Sequence, residues 1–192
     1  MRITKNPEER KREITETAMA LFEQKGIQKT SMNDIAMELN VAKGLIYYYF
    51  KSKEELISFV IEEFSKGVDE ELIEIMEDES RSFYTKLGAI INLFFSSIRE
   101  HPAMMNITPG NPGVFEYIKT RLSDIAIHHA KTLIEEGRRE GFVTIRYPEY
   151  MLKILISGIA DLYVEGVTDP NIHRVLIEDA LGLEKDKITF DV

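Results

Sequence analysis

The chain has 192 residues, 44% of them hydrophobic, which suits one packed domain or two small ones. It holds no cysteine, which excludes disulfides and a thiolate zinc site, and its four histidines lack regular ligand spacing, so neither a metal nor a cofactor is expected. The net charge of −9 speaks against a polyanion on average, yet residues 1–53 hold 10 Lys and Arg against 7 Asp and Glu, while the remainder holds 14 against 26.

The stretch MRITKNPEERKRE is too charged for a signal peptide, and the longest uncharged apolar segment, Leu87 to Ile98, has 12 residues, short of the roughly 18 of a membrane span. A cytoplasmic location is expected. Helix signals recur and strand signals are nearly absent, which predicts an all-α protein of about nine helices. Residues 1–53 and 54–192 read as an N-terminal domain and a helical C-terminal domain.

In the first helix Asn6 caps, Pro7 suits the first turn, Glu8 and Glu9 favour the positive end of the dipole, and Ile14, Ala18, Leu21 and Phe22 form one stripe. Gly26 stops it. Ser31 with Asp34 makes a capping box that opens a short second helix, whose buried face is Met32, Ile35, Ala36 and Leu39. Asn40 tolerates the left-handed cap, and a third helix follows over about 42–50. Ser52 with Glu55 opens a long helix to about Asp78. Further helices are predicted over about 81–100, 102–107, 113–140, 148–167 and 170–182. Pro148 and Pro170 take first-turn positions, and Asp169 caps the last. Between these, 101–113 is rich in Pro and Gly, and Glu184 to Val192 reads as a loosely ordered tail.

Two short helices joined by a tight turn match the helix-turn-helix arrangement, in which the second helix enters the major groove. At 100° per residue, Ile46 and Phe50 point to the core with Ala42 beside them. Gly44 and Tyr48 point away, flanked by Leu45 and Tyr47. Such a face suits a sugar-phosphate wall, since glycine allows close approach and tyrosine offers a ring and a hydroxyl. The alternative, that Tyr47, Tyr48 and Tyr49 are core aromatics, meets the objection that three consecutive residues span about 200° of a helix.

The stretch TSMNDIAMELNVAKGLIYYYFKSKEEL (30–56), with ITETAMALFEQKGIQKT before it, resembles the signature of the TetR (tetracycline repressor) family, and the resemblance extends over residues 8–68. It implies a homodimeric repressor that binds a double-stranded DNA operator, an inverted repeat, and is released by a small-molecule effector. It implies phosphate contacts from Tyr49 and Lys53, assisted by the amides opening the helix after Lys53. Base contacts fall to Lys43, Gly44, Leu45 and Tyr47, with Thr30, Ser31 and Asn33 at the mouth of the second helix and Tyr48 on the same outward face. Lys43 suits guanine and Leu45 a thymine methyl. Two departures stand out: Ala42 where the family often has a capping Ser or Thr, and Asn40 where it usually has Gly. Arg10, Lys11 and Arg12 hold flanking phosphates or are an ordinary solvated helix end.

In the acidic body, Phe115, Ile118, Leu122, Ile125, His129 and Leu133 share one face of a helix, so His129 points inward, as a core residue or as a ligand contact. Phe83, Phe94, Phe95, Met104, Met105, Phe115, Tyr117, His129 and Tyr163 are the candidate lining of an effector pocket, with ordinary core as the competing reading. The family's mode of action puts that pocket within the helices from 53–78 to 148–167, where ligand entry tilts the helix after Lys53. The helix from Pro148 is apolar nearly all round and must be covered on every side. With the last helix it is expected to form a four-helix dimer interface through Ile154, Ser157, Gly158, Asp161, Leu162, Ile172, Val175 and Leu176, with Leu183. An enzyme is the rival from another class, but no G-x-S-x-G, phosphate loop or H-E-x-x-H occurs. A dimeric DNA-binding protein without a small-molecule effector is the second rival.

Overall fold

A computed structural model describes residues 6–102 and 112–190, the side chains of Pro112 and Phe115 excepted. Among the described residues there are eight helices and no strand: α1 (Pro7–Lys25), α2 (Met32–Glu38), α3 (Lys43–Tyr49), α4 (Lys53–Glu77), α5 (Phe83–Glu100), α6 (Pro112–Arg139), α7 (Pro148–Val164) and α8 (Pro170–Leu181). The all-α expectation holds. The helix expected over 102–107 lies, beyond Pro102, outside the described residues.

The chain divides into two compact units, the described parts of Met1–Lys66 with His101–Phe115 and of Gly67–Glu100 with Glu116–Val192. In the first, α2 packs on α1 and α3 on α2. Local chemistry sets these helices before packing does. The Asn6 side chain accepts from the Glu8 amide at 3.1 Å, and Gly26 ends α1 at φ 83°. Ile14, Ala18, Leu21 and Phe22 are buried as the stripe predicts, together with Ile35, Ala36, Ile46 and Phe50.

The second unit has its own core, built on Phe83, Ile91, Phe95, Leu133, Ile134, Val143, Leu152, Ile177 and Leu181. α8 packs on both α7 and α5. Asp169 caps α8 by accepting from the Asn171 amide at 2.9 Å. Gly141 (φ 81°) closes α6 in a Schellman arrangement, in which the Phe142 amide donates to the Gly137 carbonyl at 2.8 Å and that of Gly141 to Arg138 at 3.2 Å.

Two expectations are corrected in this unit. The described part of the segment after Glu184, as far as Phe190, is not a loose tail, because Ile188 is 4% exposed and belongs to the core cluster. A Cβ at Gly88 would collide with the Thr189 carbonyl, so the tail lies directly on α5 where a glycine admits it. Leu183, expected at the dimer face, is spent on the same core at 7% exposure. No described helix is long and apolar enough to cross a membrane.

Candidate functional site

The turn between α2 and α3 is fixed by its own hydrogen bonds. Asn40 takes φ 51°, its amide donates to Met37 at 3.0 Å, and the Val41 amide reaches back to Ala36 at 2.9 Å. This is a Schellman cap with asparagine in the left-handed position, so the departure from glycine is absorbed without loss of the motif. At the other end of α2 the Ser31 hydroxyl accepts from the Asp34 amide at 3.1 Å, and the Asp34 carboxylate accepts from the Ser31 amide at 2.7 Å. The Ser31 hydroxyl also donates to that carboxylate at 2.7 Å, and this bond, with the one from the Ser31 amide, holds the Asp34 carboxyl below its ordinary range. Ala42 opens α3 without a side-chain cap.

Burial sorts α3 into two faces. Ile46 and Phe50 are 0% and 1% exposed and fasten the helix to the unit. Lys43, Gly44, Tyr47 and Tyr48 are exposed, Tyr48 at 71%, while Leu45 and Tyr49 are half-buried. The reading of three core tyrosines is thereby excluded. Tyr48 and Tyr49 meet edge to face with centroids 5.1 Å apart, and the Lys43 ammonium lies 5.5 Å from the Tyr47 ring, one turn on. Ser31 and Asn33, exposed at the start of α2, belong to the same region of sequence.

Thr30 does not. It is 1% exposed, and its hydroxyl faces the carbonyls of Leu21 at 3.2 Å and Gly26 at 3.0 Å. Its one proton is spent on the end of α1, which corrects the expectation that its side chain contributes to base contacts. Lys53 is half-buried with its ammonium donating to the Gln28 carbonyl at 3.2 Å, and partial burial lowers its pKa against the pull of Glu54 and Asp34. Its neighbour Ser52 accepts from the Glu55 amide at 3.1 Å, while the Glu55 carboxylate turns to the Lys51 amide at 2.5 Å, completing the start of α4. At the basic start of α1, Arg10 pairs with Glu13 at 2.6 Å, Arg12 with Glu16 at 3.6 Å, and the Lys11 ammonium sits 3.8 Å from the centroid of the Phe59 ring.

In the second unit a cavity of about 120 Å³ is walled by α5, α6, α7 and α8. Phe83, Phe94 and Phe95 line it as expected. Tyr163 is not among the lining residues, although its ring packs 6.1 Å from Phe94 and 6.0 Å from Phe95. His129 and Tyr117 are not among the lining residues: His129 points inward but bonds Asp69 at 2.6 Å, and Tyr117 is 37% exposed. Met104 and Met105 lie outside the described residues, as does the Phe115 side chain. Sequence reasoning missed the contribution of α8, where His173, Ile177 and Leu181 recur every fourth residue along the wall. It also expected a wall from the helix after Lys53, and no described residue of α4 lines the cavity. No group of three or more His, Asp or Glu among the described residues is arranged to hold a metal.

The opposite face of α8 and one face of α7 are apolar and exposed. Ile154 is 65% exposed, Ile172 47%, Val175 44% and Leu176 39%. Ser157 and Asp161 are exposed beside Ile154, with Gly158 and Leu162 half-buried. Asp161 accepts from the Lys119 ammonium, a bond that raises the Lys119 pKa.

Residues 14–58, which span α2 and α3, match the family model of the bacterial regulatory proteins of the tetR family. The uncharacterised HTH-type transcriptional regulator YuxN of Bacillus subtilis (strain 168) is 30% identical over 166 residues, which cover 82% of this chain and 54% of its own length. A second, YhgD of the same organism, is 28% identical over 161 residues, covering 80% and 84%. Among solved structures, SmeT in complex with triclosan shares the fold, with a TM-score of 0.64 at 15% identity over 95% of both chains.

Proposed function

Because the chain is a transcriptional regulator of the tetR family of bacterial regulatory proteins, we propose that it acts in the cytoplasm, not as an enzyme but as a homodimeric repressor that a small molecule releases from an inverted-repeat operator. The observation that carries the reading is α3: a short helix fastened by Ile46 and Phe50 that turns Lys43, Gly44, Tyr47 and Tyr48 outward. Tyr49 and Lys53 grip phosphates, with Lys53 exchanging the Gln28 carbonyl for a phosphate oxygen. Lys43, Gly44, Leu45 and Tyr47 meet base edges, and Ser31 and Asn33 approach from α2. The concentration of positive charge in residues 1–53 supports this end as the one that meets DNA.

The exposed apolar stripes of α7 and α8 support a symmetric four-helix interface, which sets the two α3 helices at half-sites about 34–36 Å apart. The apolar cavity supports an effector site in the second unit, in line with the bound triclosan of SmeT. Ligand entry then changes the separation of the recognition helices and so lowers operator affinity.

The test is a variant carrying Tyr49→Ala and Lys53→Ala. Binding to a duplex selected from a random pool and to random duplex should weaken alike, and the slope of log affinity against log salt should shallow by about one for the lost lysine contact. A folded double variant with the affinity and salt slope of the parent refutes the assignment. Lys43→Ala should instead change which sequences are selected.

A further inference from the structure

The walls of the cavity define the chemistry of what it accepts. Of the described residues that line it, His173 alone carries a polar side chain, and the rest are aliphatic or phenylalanine. A charged ligand would find no counter-charge there and would lose its hydration without compensation. A volume of about 120 Å³ is close to that of an engineered apolar cavity, roughly 150 Å³, which takes a benzene ring.

His173 then decides which rings are preferred. It is fully buried, packs its ring at 5.1 Å from that of Phe95, and sets its Nε2 2.7 Å from the Val167 carbonyl. A carbonyl oxygen only accepts, so Nε2 carries the proton, and in the neutral ring Nδ1 is left as an acceptor. Nδ1 is buried and has no hydrogen-bond partner among the described residues. Buried acceptors are seldom left so, and nothing else in the described wall can use or supply a side-chain hydrogen bond.

We infer that the cavity is a site for a small neutral ring compound bearing one hydroxyl, which donates its proton to Nδ1 of His173 while the ring is enclosed by Phe94, Phe95, Leu155 and Ile156. The inference rests on the effector reading above and narrows it to a chemical class. It favours donors over ligands that only accept, because the described wall offers an acceptor and no side-chain donor.

Phenol and toluene serve as probes on the full-length protein, with affinity measured by calorimetry. They differ in a hydroxyl against a methyl, and in a cavity without a partner the hydroxyl is a handicap, since its hydration is lost for nothing. With His173 present, phenol should bind at least as tightly as toluene. In His173→Phe, which keeps a ring beside Phe95, phenol should weaken about tenfold, the worth of a hydrogen bond to a group otherwise unpaired, while toluene stays within about threefold. Ala130→Leu, which fills space in the wall, should weaken both. A parent protein that prefers toluene by tenfold or more overturns the inference without any variant, and so does a folded His173→Phe that keeps its phenol affinity. Release of a selected duplex by phenol is read separately. Tight phenol binding with no release refutes the effector reading and leaves the site intact, whereas release by another ligand while phenol does not bind does the reverse.

Discussion

Gly44 provides the sharpest separation of stability from function. It is the second residue of α3, it is exposed, its φ lies outside the left-handed region, and a methyl group built on it meets nothing within 4 Å. For the protein alone Gly44→Ala is therefore favourable, by about 0.4–1 kcal/mol, through reduced freedom of the unfolded chain and better helix propensity. Against DNA the same methyl stands where the helix is proposed to press on the duplex, and a loss of tenfold in affinity requires about 1.4 kcal/mol, a modest displacement of a close contact. The expected result is higher resistance to urea together with at least tenfold weaker binding in a fluorescence-anisotropy titration. Gly67→Ala is the control. It also has nothing within 4 Å and lies in the interior of α4, so it should gain the same stability and keep its DNA affinity. Parental DNA affinity in Gly44→Ala would mean that α3 does not approach the duplex by this face.

Other outcomes follow from the same geometry. Gly137→Ala should lose about 1–2 kcal/mol in urea unfolding: its Cβ would lie 2.5 Å from the ring of Phe83 and 2.9 Å from Val143, both buried, so overpacking exceeds the gain in helix propensity. Ile154→Glu should halve the mass seen by light scattering while leaving the helical circular dichroism unchanged, because Ile154 is 65% exposed within one chain. The Asp34 carboxyl is held below its ordinary range by Ser31, so the stability it confers is present above the unfolded carboxyl pKa and is lost as pH falls through the lowered value. The difference in melting temperature between the parent and Asp34→Asn should accordingly shrink on acidification from neutral pH, and a constant difference would count against the cap.

The helices were legible in the sequence where their ends are made by neighbours in the chain. The box of Ser31 and Asp34, the caps at Asn6 and Asp169 and the left-handed Asn40 all depend on residues within four positions, and each forms as expected. Thr30 was misread because its partners, Leu21 and Gly26, reach it through the packing of the end of α1 against the following turn, which no local pattern announces. The tail was misread because its charged composition conceals the anchoring residues Ile188 and Phe190, and the seat of Ile188 beside α5 depends on Gly88 a hundred positions earlier. His129 shows both sides of the matter: the stripe of α6 turned it inward, but nothing local named Asp69 as its partner.

The α8 wall of the cavity escaped for a reason that also bears on how the cavity would work. α8 is apolar on two faces, and periodicity alone cannot say which of them meets a core and which meets another molecule. Ile172, Val175 and Leu176 drew attention to the outward face, while His173, Ile177 and Leu181, one residue out of phase, line the cavity. A helix of twelve residues moves as a rigid body, so whatever displaces its inner face displaces its outer one by a similar amount. On the proposed reading, a ligand lodged against His173 therefore acts first on the stripe that joins two protomers and only through it on the spacing of the recognition helices. No described residue of α4 forms part of the wall, so on this reading any tilt of the helix after Lys53 is transmitted and not a direct contact of the ligand. Coupling of this kind is bounded by the difference in ligand affinity between the two dimer arrangements. A cavity that is nearly featureless except at one imidazole nitrogen has few ways to supply that difference. Apolar contact has no preferred direction, whereas a hydrogen bond weakens steeply as its angle bends, which makes the His173 contact the element of the site best able to tell one arrangement from the other.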